Sequence, residues 1–152
     1  MEATEGMVKV RLRGPHAGDV ETIWATPVDV DQYRLENSPF FAYGVSWQDV
    51  VEAKTTVDRV PEFVRCVSKS GNRTLRVIFQ NSELKDPPAQ SVLQGLRRMG
   101  ASFEGMQPRM VSINVPPGKD LEEITEFLTE KPGLQWEYAD PTHDEVFHGK
   151  AS

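Results

Sequence analysis

In the stretch "SGNRTLRVIFQNSELKDPPAQSVLQGLRRMGA", residues 70–101, the spacing of apolar residues changes from strand-like to helical, and this change decides the fold. Over residues 73–80 apolar and polar side chains alternate, which is typical of a strand with one buried face. Over residues 86–101 the apolar side chains recur at helical spacing. They follow two prolines that suit the start of a helix and precede a glycine that suits its end. A strand followed by an amphipathic helix is therefore predicted.

The chain after residue 100 completes a pattern in which strands and helices recur. Two short strands, a second amphipathic helix and a final strand are predicted at 101–105, 109–115, 118–133 and 134–140. From residue 73 onward the order is β-α-β-β-α-β, which is the ferredoxin-like pattern. The sequence thus predicts a ferredoxin-like domain over residues 72–140, followed by a flexible tail over residues 141–152.

The chain before residue 72 lacks a helical period. Short alternating runs separated by turn residues predict five strands, at 8–13, 20–28, 32–37, 49–57 and 62–70. Such strands favour a small antiparallel β-barrel-like domain over residues 7–71. One face of the C-terminal sheet needs a cover, so we expect the N-terminal strands to pack on it. The predicted fold class is α+β, a barrel-like domain packed on a ferredoxin-like one.

The connection between the third and fourth predicted strands is dense in aromatic residues: "ENSPFFAYGVSWQDVV", residues 36–51. In one interpretation it is a hydrophobic crossover whose rings fill the end of the barrel. In the other, Phe41, Tyr43 and Trp47 stay partly exposed as a recognition surface, because aromatic anchors dominate many protein interfaces. Asp49 is a further candidate binding residue of this segment. Both interpretations can hold together, since alternate residues point in opposite directions.

The same segment carries a family resemblance. "DVETIWATPV", "YRLENSPFFAYGVSWQDVV" and "SGNRTLRVIF" resemble an uncharacterised bacterial family, one of the domains of unknown function, with an N-x-P-F-F-x-x-G-V-S-x-x-D-x-V core. The similarity extends through "WEYAD" near the C-terminal end. Gln48 stands where many relatives have glycine, a departure that concerns the local turn. The resemblance implies a bacterial cytoplasmic protein and brings no established activity.

A second candidate surface is basic. Arg65, Lys69 and Arg73 fall on two predicted strands joined by a tight turn, where they could share a polar face suited to phosphate or to an acidic partner. The alternative is a solvated strand face whose cations pair with carboxylates. A run of acidic residues on the second helix is likewise typical of a solvated face.

Composition and absent motifs limit the classes of function. The net charge of −6 argues against nucleic acid as a partner, since phosphate contacts need basic surface. The single cysteine, Cys66, excludes an intramolecular disulfide. Neither a secretory signal nor an apolar run of membrane-spanning length is visible, so the cytoplasm is expected. No nucleotide-binding, nucleophile-elbow or metalloprotease motif occurs, which lowers the expectation of an enzyme. No cofactor, metal site or catalytic residue is predicted.

Three hypotheses of function remain. The first is a non-catalytic module that binds another protein, with an immunity or antitoxin-like role in bacteria. The second is a small-ligand sensor, in which ferredoxin-like units form a homodimer and hold a metabolite between them. The third is single-stranded nucleic-acid binding, with aromatic rings stacked on bases and Arg65, Lys69 and Arg73 along the backbone.

Overall fold

The computed structural model describes residues 6–148 and contains a barrel followed by a sheet with helices. The strands of the barrel are β1 (Val8–Arg13), β2 (Val20–Asp29), β3 (Gln32–Leu35), β4 (Val50–Thr55) and β5 (Pro61–Ser68). The elements that follow are β6 (Arg73–Phe79), α1 (Pro87–Arg98), β7 (Ser102–Met106), β8 (Met110–Val115), α2 (Leu121–Thr129), β9 (Leu134–Asp140) and α3 (His143–Phe147). The predicted α+β class, with a barrel in the N-terminal region, is confirmed.

The barrel closes through one parallel contact. Successive strands from β1 to β5 pair antiparallel, and β1 then pairs with β5 in parallel at Arg11 and Glu62. This closure follows from the odd strand number, because the first and fifth of five alternating strands run the same way. The barrel is filled by small and branched side chains, all 5% exposed or less: Val10, Leu12, Ile23, Ala25, Leu35, Ala42, Val45, Val51 and Ala53.

The second sheet has the strand order β7-β8-β6-β9, with every pair antiparallel. The alternation predicted for residues 73–80 directs Leu75, Val77 and Phe79 to one face, where they pack in a core with residues of α1 and α2. Helix α2 begins after Asp120, whose carboxylate accepts hydrogen bonds from the backbone N–H of Glu122 and Glu123. Helix α1 includes its two prolines but ends at Arg98, before Gly100, and α2 is shorter than predicted because Gly118 and the pair Pro132-Gly133 lie outside it.

The other face of this sheet is polar and yet buried. Its fully or nearly buried side chains are Thr74, Arg76, Ser112 and Asn114. The cover was expected to come from the N-terminal strands, but the hydrogen bonds on this face lead to the connection between β3 and β4. We call this connection, residues 36–49, the strap.

Three contacts show how the strap lies on the polar face. Ser112 Oγ donates to the carbonyl of Pro39 at 2.8 Å, Arg76 donates to the carbonyl of Ala42, and the hydroxyls of Ser46 and Thr74 lie 2.6 Å apart. Polar side chains of the sheet thus provide hydrogen-bond partners for two backbone carbonyls and one hydroxyl of the strap, and buried polar groups need such partners.

The residues after β9 contain a helix that the sequence analysis did not predict. Helix α3 begins with a capping box, in which Thr142 and Glu145 satisfy each other's backbone N–H groups. Of the tail proposed for residues 141–152, residues 149–152 lie outside the described part of the chain.

Upstream, β5 ends at Ser68 and β6 begins at Arg73, so the boundary proposed between residues 71 and 72 lies in their connection. Within residues 6–148, no helix has the length and apolar character needed to cross a membrane.

The pKa of Asp58, a side chain near the contact that closes the barrel, gives a first prediction. The Thr56 hydroxyl, the Arg11 guanidinium and the backbone N–H of Val60 lower the pKa of Asp58 from 3.8 to about 2. Since the folded-state pKa is depressed, the contribution of Asp58 to stability is present above its ordinary pKa and is lost as the pH falls towards 2. In Thr56→Ala we expect the pKa of Asp58 to rise towards 3.8, measured by NMR pH titration. The neighbouring change Thr55→Ala should leave that pKa in place, and equal titration curves in all three proteins would contradict the assignment.

Candidate functional site

The N-terminal part of the strap is anchored by one carboxylate of the barrel. Glu21, on β2, accepts hydrogen bonds from the backbone N–H groups of Phe40, Phe41 and Ala42 at 2.9, 2.8 and 3.0 Å. Three consecutive donors aimed at one carboxylate fix the path of the chain there, because hydrogen bonds to a charged acceptor are the stronger kind. On the other side, Glu104 of β7 accepts from the backbone N–H of Ser38 at 2.9 Å.

The C-terminal part of the strap is anchored by Asp49, which is fully buried. Its carboxylate accepts from the backbone N–H of Ser46 at 2.9 Å and of Ser70 at 2.8 Å. The residue before it, Gln48, has φ of 69°, in the left-handed region that favours glycine. The position where the resemblance led us to expect glycine in relatives is therefore one at which glycine would relieve backbone strain.

Lys69 joins Asp49 to the second sheet. Its ammonium group donates to Asp49 Oδ2 and to Asp140 Oδ2, both at 2.6 Å, and to the carbonyl of Gly44 at 2.9 Å. Ser46 Oγ donates to the same Asp140 oxygen at 2.6 Å. One cation thus connects the barrel, the strap and the last strand of the sheet.

The charge state of Lys69 is fixed by these carboxylates. Partial burial alone would lower its pKa, but hydrogen bonds and charge from Asp140 and Asp49 outweigh burial and raise the pKa above its ordinary value of 10.5. At neutral pH the group is an ammonium ion that donates hydrogen bonds, and it cannot serve as a base or nucleophile. Its chemistry here is to hold two carboxylates together.

A cleft of about 990 Å³ opens beside Lys69 and Asp140, bordered by α2, β9 and α3. Its apolar lining comes from Leu121, Tyr138, Val146 and Phe147. Its carboxylates are those of Glu122, Glu126, Glu130, Asp140 and Glu145. The cations of its lining are Lys69 and Arg73, and both are engaged: Arg73 donates to the carbonyls of Pro116 and Lys119 at 2.8 and 2.5 Å. The lining of the cleft therefore combines apolar side chains with five carboxylates.

Comparison with known proteins places this architecture in a family. Residues 21–138 match the family model described as Domain of unknown function (DUF4265). The chain belongs to this family. The match covers more than half of the chain and includes the strap, so the membership of a domain-of-unknown-function family predicted from the sequence is confirmed.

The fold is similar to a solved structure described as "Novel crystal structure of a hypothetical protein from Neisseria gonorrhoeae", with a TM-score of 0.74 and 17% sequence identity. The similarity covers 88% of this chain and 94% of that chain, so the two share most of the fold. No protein of curated function matches the sequence.

The predicted aromatic residues lie at the surface of the strap and are partly covered. Phe41 and Trp47 are half-buried, and Tyr43 is 38% exposed. The hydroxyl of Tyr43 donates to the carboxylate of Glu137 at 2.7 Å, and its ring lies 4.7 Å from the guanidinium of Arg76. Burial, followed by the hydrogen bond to Glu137, raises the pKa of Tyr43 above its ordinary value.

The three predicted cations do not form one open face. Arg65 is exposed and donates to Glu52 at 2.7 Å, outside the cleft, whereas Lys69 and Arg73 both line the cleft.

Cys66 is half-buried, and burial, with the charge of Asp49, raises the pKa of its thiol. In the described part of the chain, no group of three or more His, Cys, Asp or Glu side chains is placed to hold a metal ion.

Lys69 should be required for stability. Lys69→Met leaves the buried carboxylates of Asp49 and Asp140 without their shared cation, so we expect a loss of about 1–3 kcal/mol in the free energy of unfolding. Adding Asp140→Asn should recover part of the loss, because one of the two charges is removed. Chemical denaturation measures both, with Lys85→Met as control, since Lys85 is exposed and only weakly paired with Glu83. A Lys69→Met protein as stable as the control would contradict a stabilising role for the ion pairs of Lys69 with Asp49 and Asp140.

Glu21 should hold the strap in place. Glu21→Ala removes the acceptor of three backbone N–H groups, and we expect it to cost about 2–3 kcal/mol. Glu21→Gln keeps one acceptor oxygen and should cost less. Native-state hydrogen exchange gives the site of the effect: the amides of Phe40, Phe41 and Ala42 should exchange faster in Glu21→Ala. They should be unchanged in Thr22→Ala, an exposed position on the same strand, and protection that survives loss of Glu21 would disprove the anchor.

Proposed function

We propose that the protein is a non-catalytic binding module that takes a basic, partly apolar segment of another protein into the cleft beside α2. The observation that carries the proposal is the composition of this cleft. Its lining combines apolar side chains with five carboxylates, of which Asp140 and Glu145 are bonded within the chain, and with two cations that are bonded within the chain as well. A segment with one or two apolar anchors and flanking lysines or arginines complements it in both respects.

The arrangement of charge along α2 supports this choice of partner. Glu122, Glu126 and Glu130 are four residues apart, so they follow one side of the helix at its border with the cleft. Within residues 6–148 none of these three carboxylates forms an ion pair. Phe147, at the opposite border, is 59% exposed despite its large apolar side chain. Exposed apolar surface next to unpaired charge of one sign is typical of an interaction site.

The proposal extends to the fold and to the setting. Residues 72–140 are proposed to form a ferredoxin-like domain, supported by the element order β-α-β-β-α-β and the strand order β7-β8-β6-β9. The bacterial cytoplasm is the proposed compartment, and a lone cysteine agrees with a reducing environment. An immunity or antitoxin-like role would fit a small acidic protein that binds a basic partner.

A small-ligand sensor is the second candidate, because the cleft volume lies within the range of ligand pockets, roughly 300–1,000 Å³. Nucleic acid is less well supported. Of the cations proposed to follow its backbone, Arg65 is bonded to Glu52 and Lys69 to Asp49 and Asp140. Acidic α2 would also repel phosphate.

The test uses peptides of opposite charge. A synthetic amphipathic peptide of Lys and Leu is titrated into the labelled protein, and the same peptide with Glu in place of Lys is titrated in parallel. We expect the Lys peptide alone to shift the NMR resonances of Leu121, Thr125 and Val146. Glu126→Lys should weaken its binding about tenfold, which corresponds to about 1.4 kcal/mol.

The matched control is Glu123→Lys, an exposed position of α2 outside the cleft. It makes the same change of net charge and should leave the affinity within about twofold. Equal weakening by both variants would reduce the effect to net charge and refute the cleft as the site. Binding of a metabolite that shifts the same resonances, with no effect of the Lys peptide, would favour the sensor.

A further inference from the structure

A second cavity, of about 740 Å³, lies along β9 and shares Tyr138 and Phe147 with the cleft described above. Its lining is dominated by aromatic rings, those of Tyr43, Trp136, Tyr138, His143 and Phe147. Two carboxylates, Glu137 and Asp144, also line it, and among the described residues its lining contains no lysine or arginine. The cavity thus combines aromatic walls with two carboxylates, of which Glu137 lies 3.8 Å from the guanidinium of Arg76.

The rings are turned at large angles to one another. Trp136 and Tyr138 have centroids 5.0 Å apart at 75°, and Tyr138 and Phe147 have centroids 6.1 Å apart, also at 75°. His143 and Phe147 lie 4.6 Å apart at 42°. Rings inclined to one another in this way present their faces and edges in different directions. The face of an aromatic ring carries negative potential, so each face that is left open on the cavity attracts a cation.

The rings are also held in position before any ligand binds. The indole N–H of Trp136 donates to Thr129 Oγ1 at 3.1 Å, and the phenol of Tyr43 donates to Glu137. The capping box of Thr142 and Glu145 fixes the start of α3, which carries His143 and Phe147. A site that is already formed loses less entropy on binding.

Three aromatic rings outside this cavity have a cation of the chain over one face. Lys9 lies 4.5 Å from the ring of Trp24, Arg97 lies 4.7 Å from Phe103, and Lys131 lies 4.5 Å from Phe127. In residues 6–148, Trp136, Tyr138 and Phe147 have no such intramolecular cation. Of the rings that line the second cavity, Tyr43 already has the guanidinium of Arg76 4.7 Å from its centroid, so the faces of Trp136, Tyr138 and Phe147 are the ones that a cation from outside can approach.

We propose that this cavity binds a methylated ammonium group. The methyl groups of such an ion make apolar contact with the rings, and its charge is stabilised by the ring faces and by Glu137 and Asp144. An unmethylated ammonium ion is strongly hydrated and needs hydrogen-bond acceptors on several sides, whereas five of the eight residues of this lining are aromatic. The inference goes beyond the proposed function and does not depend on it.

The experiment compares a cation with its uncharged isostere. Tetramethylammonium chloride, choline chloride and 3,3-dimethylbutanol, the uncharged carbon analogue of choline, are titrated into the labelled full-length protein at pH 8, with ammonium chloride as a salt control. We expect the two methylated cations to shift the indole N–H resonance of Trp136 and the amide of Tyr138. The uncharged alcohol should bind at least about tenfold more weakly.

Variants locate the site without endangering the fold. Phe147→Leu keeps an apolar side chain at an exposed position but removes a ring face, and should weaken binding about threefold to tenfold. Glu137→Gln should weaken binding of the cations and leave that of the alcohol unchanged. Phe103→Leu, which alters a ring outside the cavity, is the control and should bind as the unchanged protein does.

The source of the group is resolved by a further arm, a short peptide containing trimethyllysine and the same peptide with unmodified lysine. Tighter binding of the trimethyllysine peptide than of choline would assign the site to a modified protein side chain, and equal or weaker binding would assign it to a free small molecule. Both results support the proposal. Equal affinity for choline and dimethylbutanol, no response to either cation, or insensitivity to both Phe147→Leu and Glu137→Gln would overturn it.

Discussion

The structure depends on the burial of a polar sheet face under a strap that contains no regular secondary structure. A segment of this kind brings backbone N–H and C=O groups that have no partners of their own, and burying them unpaired would be costly. The sheet face meets this need because Thr74, Arg76 and Ser112 offer hydroxyl and guanidinium groups where an ordinary core would offer methyl groups. Arg76 is only 3% exposed, and burial lowers its pKa from the ordinary value while the charge of Glu137 opposes that change. The barrel and the sheet are joined by reciprocal hydrogen bonding more than by apolar contact.

Much of the architecture could be predicted because it rests on local periodicity. The strands at 8–13 and 134–140 and both main helices follow directly from the spacing of apolar residues. The burial of the second sheet face could not be predicted in this way. Polar residues that alternate with apolar ones are typical of a strand with one face in water, and nothing in residues 73–79 distinguishes a solvated face from one covered by the strap. Helix α3 was missed for a related reason, since five residues with no buried side chain give no apolar stripe.

The candidate site shows the same limit. Lys69 could be identified as a cation near a tight turn, but its two partners lie 20 and 71 residues away. Ser46 and Asp140 are 94 residues apart, and Glu21 is separated from Phe41 by a full hairpin. Such pairs depend on the tertiary path of the chain, and no motif marks them. The aromatic density of the strap was a real signal, since Phe41, Tyr43 and Trp47 are all neither core nor fully exposed. The structural role of these three rings could be assigned only from the contacts that they make in the folded chain.

The long separation of these partners bears on the order in which the chain can acquire its structure during synthesis. All five strands of the barrel lie before residue 69, so the barrel can close while the rest of the chain is still on the ribosome. The strap cannot be completed then, because Thr74, Ser112 and Asp140 have yet to emerge. Glu21 can already pair with the strap at that stage, but the carbonyls of Pro39 and Ala42 and the hydroxyl of Ser46 lack their partners in the sheet through the translation of roughly half the chain. During synthesis the chain therefore passes through a stage in which the barrel is formed and the strap is still exposed, and this stage ends only when β9 has been made.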